Sequence, residues 1–316
     1  MTQASVIDAV VIGRNEGDRL VACLASLKGQ VRRVIYVDSG STDGSVANAQ
    51  AAGAIIVELD QDKPFTAARA RNAGFAQTTG ADFVQFVDGD CEIVPGWIET
   101  AADFLVAHPE YVVACGRRTE VRPDASRYNR FCDQEWNTPV GDALACGGDA
   151  LMRSSAFETA GGYRDTMIAG EEPELCVRLR KNGGKIRRLD ADMTRHDARM
   201  TRFGQWWQRS RRAGFAFAEG AALHGARPER HWVKEHQRAL IWGAALPLAI
   251  LLGALFLPQM LWLAFIYPAQ IFRLARRMGL EAAVFSVIGK FAEAQGAIDF
   301  HLSRLRREPR DIIEYQ

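Results

Sequence analysis

The sequence predicts an α/β protein, a mostly parallel sheet covered by helices, followed by a C-terminal hydrophobic helical region. Three observations carry this. Over roughly the first ninety residues, short strand-like runs alternate with segments whose apolar residues recur at helical spacing. Those runs are apolar throughout, as strands buried on both faces require. From Ala239 to Phe272, finally, the chain carries no charge.

Taken in order, AVVIG reads as the first strand and leads to a helix with Leu20, Cys23, Leu24 and Leu27 on one face. RRVIYVD leads to Ser41-Thr42-Asp43, residues that favour helix starts, and to an alanine-rich helix. AIIVELD precedes the helix PFTAARARNAGFAQ, and DFVQFVD closes the alternation with Asp88-Gly89-Asp90. Pro95 opens a helix presenting Trp97, Ala101, Phe104 and Leu105. Residues 110–200 mix short strands with loops and the glycine pairs Gly147-Gly148 and Gly161-Gly162. No internal repeat or low-complexity tract interrupts the chain.

With 316 residues, the chain is long enough to build its core without staples. A net charge of +1 argues against a nucleic-acid partner. The six cysteines stand singly, with no C-x-x-C pair, which suits a reducing compartment better than a disulfide framework or a zinc cage. MTQASVIDAVVIG lacks the basic lead and apolar core of a signal peptide, so the expected location is cytoplasmic.

The uncharged stretch at 239–272 suffices for one tilted span or a tight pair of short ones, at ~20 residues per crossing. Arg238 before it and Arg273, Arg276 and Arg277 after it both prefer the cytoplasm, which favours a hairpin or re-entrant pair. Beyond it, Leu280, Val284, Val287, Phe291, Ala294 and Ile298 follow helical spacing over about 280–302, which reads as an amphipathic interfacial helix or a docked core helix. The expected domains are 1–225, catalytic, and 226–316, helical and membrane-associated.

In a parallel sheet, ligands gather beyond the carboxyl ends of the strands. Asp38 and Asp88 both end strands there, and Arg14-Asn15-Glu16 and Arg71-Asn72-Ala73-Gly74 fall at matching edges. Carboxylates so placed are costly unless something positive meets them. A hard divalent cation on a diphosphate is the usual solution.

The pieces VVIGRNEGDRL, VDSGSTDGS, ARNAG, FVDGD, GGDALMRSSAFETAGGYRD and GEEPELCVRLR, in this order, make the chain resemble the family 2 glycosyltransferases. The resemblance covers residues 6 to about 215 and implies a GT-A type, Rossmann-like central sheet with flanking helices. It also implies roles. Asp38 accepts a hydrogen bond from the nucleotide base, expected to be uracil, and Arg14, Asn15 and Glu16 lie in the same nucleotide site. Arg71 approaches the base or the diphosphate, Asp88 the ribose side of the donor, and Asp90 binds Mn²⁺ or Mg²⁺. Glu172 is the general base, with Glu171 as the alternative, because this chain has Glu-Glu where the family carries Glu-Asp. His196 completes the metal shell in related enzymes. Arg14 replaces an aromatic that stacks on the base in many members, although a guanidinium plane can stack too.

Plain structural readings stand beside these roles. Asp38 is also a good helix cap, Arg71 a possible surface ion pair, Glu171 and Glu172 dipole-favoured first-turn acids, and His196 an ordinary core or surface histidine. Gln205-Trp206-Trp207-Gln208-Arg209 does not fit the Q-x-x-R-W spacing of polymerising members, so a single transfer per acceptor is expected. Trp206 and Trp207 line an acceptor groove or serve packing.

The resemblance therefore implies an inverting, metal-dependent transfer of sugar from a nucleotide-sugar donor to an acceptor hydroxyl. The uncharged C-terminal segment adds the expectation of a lipid-linked or membrane-proximal glycan acceptor at the cytoplasmic face of the inner membrane. The rival is an inactive nucleotide-sugar-binding or scaffold subunit. A hydrolase would need two carboxylates flanking the bond, and a nicotinamide dehydrogenase a G-x-G-x-x-G after the first strand, which is missing.

Overall fold

A computed structural model of the protein describes residues 5–306. The predicted alternation appears as β1 (Ile7–Gly13), α1 (Asp18–Leu27), β2 (Arg33–Asp38), α2 (Ser45–Ala51), β3 (Ile55–Glu58), α3 (Ala67–Phe75) and β4 (Phe83–Asp88). β2 and β4 flank β1 in parallel register, Gly13 beside Asp38 and Ile12 beside Asp88. The two strand-end acids thus share one edge, as expected.

The second half of the sheet is mixed. β5 (Cys91–Ile93), α4 (Trp97–Ala107), β6 (Tyr111–Glu120), α5 (Arg127–Trp136), β7 (Gly141–Ala143), β8 (Ala150–Arg153), α6 (Ser154–Ala160), α7 (Glu171–Lys181) and β9 (Lys185–His196) follow. The strand order is β3-β2-β1-β4-β8-β6-β9-β5, with β7 also on β9. β8 runs antiparallel to β4 and β6, whereas β9 is parallel to β6. Only Gly89 and Asp90 separate β4 from β5. A parallel neighbour needs a crossover of a dozen or more residues, so β5 turns away and pairs antiparallel with the end of β9.

The core is the apolar sheet interior, with Val10, Val11, Ile35, Val37, Val84 and Phe86 fully buried. Gln85, the polar residue inside the apolar run of β4, is buried too, and its Oε1 accepts from Trp97 Nε1 at 2.9 Å. This bond lets the largest core ring of α4 pack without an orphaned N–H. Above β1 and β2, α3 comes so close that a Cβ on Gly74 would collide with Val10 Cγ1 and Val37 Cγ2. The last residue of the A-R-N-A-G motif is therefore set by helix-to-sheet distance, and that distance fixes where Arg71 emerges.

A second unit begins at Arg202, rather than at the expected 225/226 boundary. It contains α8 (Phe203–His224), α9 (Val233–Leu240), a π-turn (Ile241–Ala245), α10 (Leu246–Ala254), a 3₁₀ segment (Pro258–Phe265), α11 (Ile266–Met278) and α12 (Leu280–Arg306). α8 belongs here because its backbone presses on that of α12. A Cβ on Gly214 would strike the Glu293 carbonyl, and one on Gly296 the Arg211 carbonyl. α12 consequently buries Ala283, Val287, Gly289, Ala292, Ala294, Gly296, Ala297 and Phe300. Of the two readings offered for 280–302, interfacial or docked, α12 matches the docked one, although through a different set of residues. Close backbone approach selects small residues, and Leu280 and Ile298 of the expected apolar face are exposed. Trp206 is buried against Phe285, and Trp207 donates to Gln295, so both have packing roles.

Gly74→Ala is expected to destabilise the protein by ~1–3 kcal/mol through overpacking, read as a lower urea midpoint. An unchanged midpoint would mean that α3 is free to lift from the sheet.

Candidate active site

Asp88 ends β4, and the chain then crosses the end of β1. Gly89 N donates to Ile12 O at 2.8 Å, and a Cβ on Gly89 would lie 3.0 Å from that carbonyl. The glycine between the two acids is what allows the crossing. Asp90 follows, and antiparallel pairing of β5 with β9 sets Cys91 opposite His196. His196 Nε2 thereby stands 3.2 Å from Asp90 Oδ2. Its Nδ1 faces Glu120 Oε2 at 3.9 Å, and Glu120 is itself held by Asn129 and by the backbone N–H groups of Arg122 and Ala198. Burial pulls the His196 pKa down, yet the charge and hydrogen bond of Asp90 outweigh it and push it up to about 9. Burial likewise opposes ionisation of Asp90, but His196 and then Arg19 hold it well below the usual carboxylate range.

The second cluster centres on Arg71, which is 3% exposed. Its Nη2 donates to Asp88 Oδ1 at 2.6 Å and its Nη1 to Glu171 Oε1 at 2.7 Å. The surface ion pair is excluded for this residue. Asn72, next in the motif, accepts from Tyr163 N and donates to Tyr163 O and Asp165 Oδ1, which ties α3 to the Gly161-Gly162-Tyr163 turn. Gly148 lies where a Cβ would stand 3.0 Å from both Arg71 Nη2 and Asp88 Oδ2. Two motifs read separately along the chain are thus parts of one packing arrangement.

Glu171 and Glu172 open α7 behind Gly170, whose φ of 76° is left-handed. Their environments differ. Glu171 is buried and bound to Arg71. Glu172, half-buried, has no side-chain partner among the described residues. Burial, then the charge of Glu171, raises its pKa to about 8.

Asp38 is buried and does not cap α2, whose N-cap is Gly44. Its Oδ2 accepts from Gly40 N and Ser41 N, and its Oδ1 from Tyr36 Oη at 2.9 Å. It organises the turn that follows β2. Asn15, at φ 57°, clasps the same turn, its N donating to Ser41 Oγ and its Oδ1 accepting from Thr42 N. Arg14 is exposed at the rim. Glu16 turns inward instead, paired with Arg19 at 2.5 Å. Burial and then the charge of Asp90 raise its pKa to about 7. Glu16 therefore sits with the acids around Asp90.

Sequence reasoning missed several residues. Arg118 on β6 reaches Asp149 Oδ2 at 2.6 Å and Asp88 Oδ2 at 3.4 Å. Asp149, fully buried, also accepts from Asp88 N and Thr194 Oγ1. Asp149 lies inside a quoted motif, but Arg118 and Glu120 sit on a strand whose pattern signals only burial. Cys91 lies within ligand distance of the Asp90–His196 pair. Its thiol, pushed well up by burial, is too soft and too protonated to suit Mn²⁺ or Mg²⁺.

Among the described residues, the acids Glu16, Asp88, Asp90, Asp149, Glu171 and Glu172 gather around three arginines, Arg19, Arg71 and Arg118. The surplus is negative, and the raised Glu16 and Glu172 express it as retained protons. A divalent cation would relieve it. Asp90 Oδ2 and His196 Nε2 are spaced for one, since neighbouring ligands ~2.1 Å from an octahedral ion lie about 3 Å apart.

Residues 8–159 match the family described as glycosyl transferase family 2. Among curated proteins, the chain is 29% identical over 236 residues to the pre-mycofactocin glycosyltransferase of Mycobacterium tuberculosis, covering 69% of this chain and 48% of that one. It is 26% identical over 210 residues to the succinoglycan biosynthesis protein ExoA of Rhizobium meliloti, covering 61% and 64%. The chain thus spans less than two thirds of either relative. Among solved structures it shares its fold with a mannosyltransferase from Pyrobaculum calidifontis in complex with GDP-Man and Mn²⁺, at a TM-score of 0.64 and 18% identity, covering 94% of this chain and 88% of that one.

Asp149→Ala leaves Arg118 without its nearest carboxylate and is expected to cost about 3 kcal/mol, the lower end for a broken buried pair because Arg118 reaches some water. Urea unfolding checks it; a loss under ~1 kcal/mol, as for a surface pair, would show that Asp149 does not hold this network.

Proposed function

We propose, from the premise that this chain carries a glycosyl transferase family 2 domain, that it transfers a sugar from a nucleoside diphosphate donor to an acceptor hydroxyl with inversion at the anomeric carbon. The observation that carries this reading is the Asp90–His196 pair at the centre of a carboxylate surplus, on the sheet edge that also holds Asp38, Arg71 and Asp88. The fold is shared with an enzyme solved with a sugar nucleotide and Mn²⁺.

Asp90 and His196 hold Mn²⁺ or Mg²⁺, with Glu120 orienting the imidazole from behind. The bound cation supplies charge neutralisation of the departing diphosphate. The turn ordered by Asp38 and Asn15 receives the base, with Arg14 at its rim, and Asp88 the ribose. Arg71 keeps Asp88 ionised and adds positive charge on the leaving-group side. Glu172 takes the proton of the attacking hydroxyl, because Glu171 is already committed to Arg71. A free carboxyl raised to about 8 is matched to proton abstraction near neutral pH. Attack from the face opposite the diphosphate needs no covalent sugar–enzyme intermediate.

UDP-sugar is the proposed donor, with GDP-sugar as the alternative that the Pyrobaculum complex keeps open. The proposed acceptor is a lipid-linked or membrane-proximal glycan of surface polysaccharide assembly at the cytoplasmic face of the inner membrane. The name of the Rhizobium relative and the exposed apolar segment support that placement. A panel of nucleotide sugars with Mn²⁺ or Mg²⁺, with and without membrane lipid extract, tests both. Release of nucleoside diphosphate supports transfer, whereas donor binding without release would favour the scaffold reading.

Glu172→Gln is expected to lower kcat by about 10²–10⁴-fold while retaining donor binding; turnover near wild type would remove Glu172 as base. Because the base must be ionised and its pKa is raised, kcat should climb as pH rises through about 8 and fall about tenfold per unit well below it. Glu120→Gln should weaken Mn²⁺ binding about 10–100-fold by freeing His196, measured by titration calorimetry.

A further inference from the structure

We infer that the segment from Leu246 to Phe265 is a one-leaflet anchor, a wedge that enters the acyl chains of a bilayer from one side and returns to the same side. This goes beyond the proposed chemistry and does not depend on it.

The wedge is read from exposure. Leu255, Phe256 and Trp262 are 77%, 85% and 69% exposed, and Leu248, Leu251, Leu257 and Phe265 are exposed beside them. No charge lies within the segment to reward contact with water. An apolar surface of this extent and continuity marks an interaction site. α10 and the 3₁₀ segment pack on each other as the two limbs of a short hairpin, joined by Leu255–Leu257.

Depth follows from length. The helix Val233–Ala254 has the 22 residues and mean hydropathy of 1.4 that a crossing would need. Its first part is unavailable for that purpose. Lys234, Glu235 and Arg238 are charged, Ala239 is buried, and His236 Nε2 meets His301 Nε2 of α12 at 3.3 Å. Beyond the π-turn only the nine residues of α10 remain. At ~1.5 Å per residue they reach about 14 Å, half of a ~30 Å hydrocarbon core.

The base of the hairpin is closed by Trp242 and Tyr267. Their rings pack edge-on, and Tyr267 Oη donates to Trp242 O at 2.7 Å. Paired aromatics with a polar tip suit the headgroup level. α11 then carries Arg273, Arg276 and Arg277 together with exposed Ile266, Phe272 and Met278. That combination fits an interfacial helix on anionic headgroups. With Lys234 and Arg238 leading in and three arginines leading out, both limbs favour the same side of the membrane. The occupant is therefore a bilayer with anionic lipid, rather than a second copy of the chain, because repeated arginines on one patch repel a like patch.

The test uses the purified full chain with vesicles of phosphatidylcholine, alone or mixed with phosphatidylglycerol. Wild type should float with the mixed vesicles. The double variant Phe256→Asp/Leu257→Asp should lose binding at least about tenfold, with an unchanged melting temperature because both side chains are exposed. Arg273→Gln/Arg276→Gln/Arg277→Gln should lose at least about tenfold on anionic vesicles only, and less at high salt. A fluorophore on Phe256→Cys should be quenched most by lipids labelled near the end of the acyl chain, at the bilayer midplane. It should also be closed to a membrane-impermeant quencher added on the far side. Quenching from the far side would mean a crossing and overturn the proposal. So would flotation unaffected by the double variant, or self-association of wild type without vesicle binding.

Discussion

Arg71 is a guanidinium with almost no access to water, held between the last residue of one strand and the first residue of one helix. A buried charge is tolerated only when paired and hydrogen-bonded, so its position binds three distant segments to one another. α3 must approach the sheet closely enough to deliver it, which is why Gly74 has no side chain. β4 must end at Asp88, and α7 must begin at Glu171. Gly148 completes the arrangement by leaving room for both partners. The separation of Glu171 from Glu172 is a consequence of the same ion pair, since one carboxylate is consumed by it and the other is left to respond to burial and to its neighbour.

The Asp90–His196 pair depends on a different constraint, strand pairing. Asp90 and His196 are brought together because β5 is too close in sequence to β4 to lie parallel beside it and turns onto the end of β9. Glu120 and Arg118, two residues apart on β6, then stand one behind His196 and the other between Asp88 and Asp149. Arg19, Arg71 and Arg118 do not balance the acids gathered there, and burial together with the neighbouring carboxylates raises the pKa values of Glu16 and Glu172.

The C-terminal unit follows another rule. α8 and α12 meet backbone to backbone through Gly214 and Gly296, so the buried stripe is made of small residues and the large apolar ones are left elsewhere. This explains why α12 docks largely through its alanines and glycines, while Leu280 and Ile298 stay exposed. The short hairpin, by contrast, leaves Leu255, Phe256 and Trp262 exposed.

By itself the sequence determined the alternation of β1 to β4, the edge at which Asp38 and Asp88 fall, the identity of the acids and of Arg71, and the uncharged stretch near the C-terminus. These are local properties, written in periodicity, strand ends and charge. Only the tertiary structure decided that Glu16 belongs with Asp90, that Glu171 is bound while Glu172 is not, that Arg118, Asp149 and Glu120 support the site, and that α8 packs in the second unit. Each of those depends on which strands become neighbours and how closely backbones approach. Contacts of that kind join residues tens of positions apart, and side-chain periodicity carries no record of them.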